Sequence, residues 1–204
     1  MKRVIILFLI FSNVCFSQQK PFPKMAFGKG IASIYIGSGA VSRHIDWTKF
    51  KAETESYRRT PFITMGFDRC ILPYASNAYW GLGANISSWV ANREYTDVND
   101  NRKENIWSNT LIAIRATHHN SYFVREKLDM CSGILVGTRV KYYHSKTINE
   151  NSVTATSDRT TFYPAFGITF TMRYYFYKNI GFYLDGCLGY KTDILSLGLV
   201  YKIH

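Results

Sequence analysis

Phe162-Tyr-Pro-Ala-Phe-Gly-Ile-Thr-Phe-Thr-Met-Arg-Tyr-Tyr-Phe-Tyr177 alternates without a break between two kinds of side chain. One register holds Phe162, Pro164, Phe166, Ile168, Phe170, Met172, Tyr174 and Phe176. The other holds Tyr163, Ala165, Gly167, Thr169, Thr171, Arg173, Tyr175 and Tyr177. A period of two is the signature of a β-strand with unlike faces. Residues 180–191 and 194–204 repeat it, with Phe182, Leu184, Leu188, Leu195, Leu197, Leu199 and Tyr201 on the greasy side. Strands of about ten residues or more can cross a bilayer at a tilt. A soluble barrel, such as a lipocalin-like carrier, needs its greasy face inward and charge outside. Here the small polar face suits a lumen and the greasy face suits lipid.

Upstream, the same period predicts strands over 30–41, 61–71, 78–91, 106–117 and 130–143. With the last three they make an all-β, antiparallel, up-and-down transmembrane β-barrel of about eight strands, an even number as bacterial single-chain barrels have. Polar, unpatterned stretches at 42–59, 92–105 and 144–161 read as long outer loops, and 73–77 as a short periplasmic turn. Segment 118–129 is a less defined connection, in which Tyr122-Phe-Val124 could extend a strand.

The chain has one domain's length, 204 residues, and its 16% aromatic content suits a barrel with interfacial girdles. Lys2-Arg3, the apolar run 4–11 and the small polar residues after it form a secretory signal over 1–17, leaving a barrel domain at 18–204. Val14 and Ser12 depart from the residues usual before a lipidated cysteine, so Cys15 reads as part of that signal. Cys70, Cys131 and Cys187 remain, an odd number on separate strands with neither disulfide nor metal spacing. The net charge of +11 points away from nucleic acid in an exported barrel and toward anionic lipopolysaccharide at the rim.

Tyr174-Tyr-Phe-Tyr-Lys-Asn-Ile-Gly-Phe-Tyr-Leu-Asp-Gly-Cys-Leu-Gly-Tyr190, followed by Leu197-Gly-Leu-Val-Tyr-Lys-Ile203, resembles the end of small porin-like outer-membrane β-barrel proteins of Bacteroidetes-type bacteria. The resemblance implies residence in the outer membrane among its lipids and lipopolysaccharide. It also implies delivery by the barrel-assembly machinery, which reads an aromatic residue at the chain end; here Ile203-His204 occupies that place, with Tyr201 close by. A monomer is expected.

Asp68, Arg115, Arg139, Lys141, Arg173, Asp185, Lys191 and Lys202 fall on the inward register. An eight-stranded interior is just wide enough for side chains to fill. These charges therefore read as a plug of ion pairs, with a narrow anion-preferring pore as the alternative. A three-residue loop at 178–180 would set Arg173 directly opposite Asp185. His44, His118, His119 and His144 read as rim and loop residues, and no spacing forces the nucleophile–base pair that a lipid A-modifying enzyme needs. Asp97-Val-Asn-Asp-Asn101 starts like a calcium loop, but Arg102 and Ser108 occupy the positions of its Gly and Glu. No catalytic residue, cofactor or metal is expected; the reading is a structural or surface-interaction role.

Overall fold

The computed structural model describes residues 30–42, 56–74, 78–97, 101–120, 127–149 and 152–203. The signal segment, Cys15 and Tyr122–Val124 lie outside the described residues. Among the described residues nine strands follow in order: β1 Ala32–Ser42, β2 Ser56–Arg59, β3 Phe62–Tyr74, β4 Ala78–Thr96, β5 Arg102–Asn120, β6 Leu128–Asn149, β7 Ser152–Tyr177, β8 Ile180–Tyr190 and β9 Asp193–Ile203. Each wall strand pairs antiparallel with its chain neighbours, and β1 pairs with β9 to close the ring. The wall has eight strands, because β2 and β3 are one strand interrupted at Thr60-Pro61. Both lie along β4, at Ala91–Glu94 and Ala78–Ser88 respectively. Pro61 has no N–H to give to a ladder, and Thr60 bridges the break by donating its backbone N–H to Val90 O at 2.9 Å.

Alternation decides which side of the wall is apolar. Phe166, Ile168, Phe170, Met172, Tyr174 and Phe176 of β7 are all exposed, as are Leu195, Leu197, Leu199 and Tyr201 of β9. Ile34, Ile36, Ile63, Met65, Leu82, Ile86, Ile112, Ile114, Ile134 and Val136 continue the band around the ring. Phe162 leaves 68% of its surface uncovered. A contiguous apolar belt of this extent on a closed barrel is a surface that lipid covers.

Three sequence expectations need correction. The stretch 92–105 is mostly strand: β4 runs to Thr96, β5 starts at Arg102, and their register is unbroken from Ala78↔Asn120 to Thr96↔Arg102. The stretch 144–161 is almost wholly strand too, from Thr147↔Ala155 down through His144↔Asp158. Within 42–59, β2 takes 56–59, and residues 43–55 lie outside the described residues. The third correction is at 178–179. A two-residue turn sets Tyr177 against Ile180, and a bulge at Phe176 restores Tyr175↔Gly181. The bulge puts Tyr177 outside, 61% exposed, and places Asp185 opposite Thr171 and Arg173 opposite Tyr183.

The wall is consequently uneven. β1, β8 and β9 have 11 residues each, whereas β4 to β7 have 19, 19, 22 and 26. β8 reaches only to Phe166 of β7. Above that level β7, β6, β5, β4 and β2 stand as a curved blade on one side of the barrel, opposite the end that carries the 178–179 turn.

Candidate functional site

Lumen positions are small or polar near the wall and charged where side chains reach across. Asp68, Arg115, Arg139 and Arg173 are fully buried, Asp185 and Lys202 nearly so, and Lys141 and Lys191 half-buried. Arg173 extends from β7 to Asp68 on β3, four strands away around an eight-strand ring, which is the far wall. Its other Nη lies 3.1 Å from Asp129 Oδ2. From β5, Arg115 reaches Asp68 with Nε at 3.4 Å and Asp185 with Nη1 at 3.2 Å. Thr171 donates to Asp185 from directly across the β7–β8 ladder. The same Arg115 Nη1 donates to Tyr35 Oη at 3.2 Å, and both guanidiniums lie within 6 Å of the Tyr35 ring centre. Tyr35 in turn occupies the space above Gly66, where any Cβ would meet its ring.

Two members of this cluster were not anticipated. Asp129 is fully buried and accepts from Arg173; His119, read as a rim residue, is also fully buried, with Nδ1 2.7 Å from Asp129 Oδ1. His119 lies on β5 near the 121–126 connection, yet its odd position turns it into the lumen with Arg115 and Thr117. With a protonated His119 the cluster balances: three carboxylates face two guanidiniums and one imidazolium. The expected Arg173–Asp185 pair does not form, because the bulge shifts that register by two.

A second cluster closes the bore nearer the blade. Arg139 of β6 donates to Asp193 Oδ1 of β9 at 2.9 Å, to Asn109 Oδ1 at 2.8 Å and to Lys191 O at 2.6 Å. Ser87 of β4 donates to the other oxygen of Asp193. Phe62, Trp89 and Ala91 pack above it, with Trp107 against them. Between the two clusters lies a small cavity lined by Thr64, Asn85, Ser87, Cys187 and Ser196 on its polar side and by Phe62, Leu111, Leu135 and Leu195 on its apolar side. Cys70, Cys131 and Cys187 are buried free thiols.

On the blade the faces keep their identity. Inner positions carry Trp107, Tyr143 and Tyr95 with Arg93 and Lys103; outer positions carry Glu94, Glu104, Arg102, Lys146, His144 and Asp158. The short Asp97–Asn101 connection is tied by its own side chain: Asp97 Oδ1 accepts from Asn101 N at 3.1 Å, and Lys103 Nζ lies 3.0 Å from Asp97 Oδ2. Among the described residues no cluster of three or more His, Cys, Asp or Glu could hold a metal.

No protein-family model matches the chain, and no curated protein matches it by sequence. Solved structures similar in chain path include Ail, the attachment invasion locus protein of Yersinia pestis, at 10% identity and a TM-score of 0.46, with 86% of this chain and 100% of that one covered. The N-terminal β-barrel domain of Pseudomonas aeruginosa OprF is similar at 15% identity and a TM-score of 0.42, covering 86% and 99%. Ail in complex with the heparin analogue sucrose octasulfate gives 11%, 0.42, 86% and 100%.

Proposed function

We propose that the chain is a non-enzymatic barrel of the bacterial outer membrane, closed to solutes, that acts through the blade it raises above the membrane. The observation that carries this reading is the crossing of the bore by ion pairs. Arg173 to Asp68, Arg115 to Asp185 and Arg139 to Asp193 each join strands at least three apart in the ring. A conducting lumen needs a water-filled path, and these side chains occupy it. Lipids of the membrane cover the belt, and the barrel-assembly machinery delivers a monomer.

Above the plug the chain spends residues on β-structure that no membrane requires. Along 152–165, β7 has β6 on one side and no described strand on the other. Such an edge presents backbone donors and acceptors to a binding partner. Catalysis has less support. Alternation puts His144 and Ser145 on opposite faces: His144 Nδ1 meets Asp158 at 2.6 Å, while Ser145 donates to Asn105 at 2.8 Å. Planar-bilayer recording is the direct test. The expected result is no stable open level; a steady anion-selective conductance would replace the plug with a pore.

A further inference from the structure

At the root of the blade, on its inner face, two ammonium groups lie near the ring of Tyr163. Lys141 Nζ is 5.4 Å from its ring centre and Lys191 Nζ is 4.9 Å. Lys191 also reaches the Tyr190 ring, at 5.4 Å. The arrangement is built from beneath: Arg139, directly opposite Tyr163 in the ladder, donates its Nε to the carbonyl of Lys191. Lys191 is held there at φ 57, the one left-handed backbone among the described residues other than glycine. A long side chain in that conformation is strained, and strain of this kind persists where the surroundings over-determine it.

The charges at this mouth do not balance. Arg139 pairs with Asp193, which also accepts from Ser87. Among the described residues neither Lys141 nor Lys191 has a carboxylate within ion-pair distance. Two like charges fixed on one ring repel, and a counter-charge between them removes the repulsion. We infer that Lys141, Lys191 and Tyr163 form a binding site for a soluble, multiply charged phosphate or sulfate ester, such as a phosphorylated or sulfated sugar. Lys141 and Tyr163 are on the lumen register of β6 and β7, away from lipid, and Lys191 reaches Tyr163 from the turn after β8, which favours a soluble source over a lipid headgroup. Asn105, Ser145 and Tyr143 line the strands just above and would meet the hydroxyls of a sugar. The site rests on the outward-facing blade proposed above.

The test is calorimetric titration of the full chain, folded in detergent micelles, with myo-inositol hexakisphosphate and with neutral myo-inositol. Saturable binding of the phosphate ester alone is expected. Lys141→Gln and Lys191→Asn, the latter chosen because Asn tolerates a positive φ, should each weaken it about tenfold, the loss of one charge-assisted contact. Lys146→Gln, on the outer face of the same strand, should change nothing, and all three variants should melt with the parent. Equal weakening by Lys146→Gln would reduce the effect to bulk charge and overturn the site. Competition by lipid A added to the micelle would overturn the assignment to a soluble ligand. Binding in micelles but not to intact cells would leave the site standing and overturn the blade's orientation.

Discussion

Asp68 receives guanidinium groups from two other walls of the barrel, Arg115 from β5 and Arg173 from β7. All three side chains are fully buried, so removing one partner leaves a charge that the lumen cannot solvate. Such a loss costs about 3–5 kcal/mol. Asp68→Ala and Arg173→Ala should each lower the urea midpoint of unfolding, and the double variant should lose less than the two losses combined. Arg173→Ala with Asp185→Ala, which share no contact, should lie nearer additivity. The same coupling in both cycles would mean the lumen charges act as a diffuse pool. The inward side of Asp68, Arg115, Arg139 and Arg173 was legible from alternation alone. Their partners were not. Which rungs meet across a barrel depends on the stagger of all eight strands, and a single bulge at Phe176 moves one ladder by two residues. His119 and Asp129 were missed because they flank a connection where the alternation fades.

The β6–β7 hairpin shows what a strand looks like when neither face is greasy. His144-Ser-Lys146 pairs with Thr156-Ser-Asp158 on the blade, away from the lipid belt. Without hydrophobic contrast a period of two has nothing to mark it, so polarity reads as loop. Thr-rich composition was the available signal, since β-branched residues favour strands. Cross-strand pairs hold this part together. His144 meets Asp158, and Tyr142 donates to the same Oδ1 at 2.9 Å. The His144 hydrogen bond, then the one from Tyr142, hold the Asp158 carboxyl below the usual carboxylate range. A carboxyl depressed in the folded state stabilises fully above its unfolded pKa, and that support is lost as pH falls through the lowered folded value. Amide protection of 142–146 and 156–160 should therefore drop on acidification below about pH 4. Asp158→Asn should show lower protection at neutral pH and little further loss; an identical acid profile in both would remove the pair from the account.

Over the whole molecule, a belt that lipid covers and a blade that water covers use the same strands. A single strand crosses from one to the other, and a charge placed on β7 should report where. Ile168 is half exposed within the belt, and an arginine there costs about 2–4 kcal/mol at the bilayer midplane. Ile168→Arg should cut folding yield in lipid vesicles sharply, whereas Thr156→Arg, exposed on the outer face of the blade, should fold like the parent. Equal yields would put the boundary elsewhere. The barrel as a class was legible because its outward residues sharply contrast with its inward ones over many strands. The blade was hidden for want of that contrast.

The ring is closed by one pairing unlike the rest. Every other wall contact joins strands next to each other along the chain, so each can form as a hairpin soon after its residues meet. β1 and β9 instead join Ala32 to Ile203 and Ser38 to Leu197. Hairpins of neighbouring strands close short loops at small entropic cost, so this seam is expected to be the last pairing made. Until it zips, two complementary edges hang open in the bilayer.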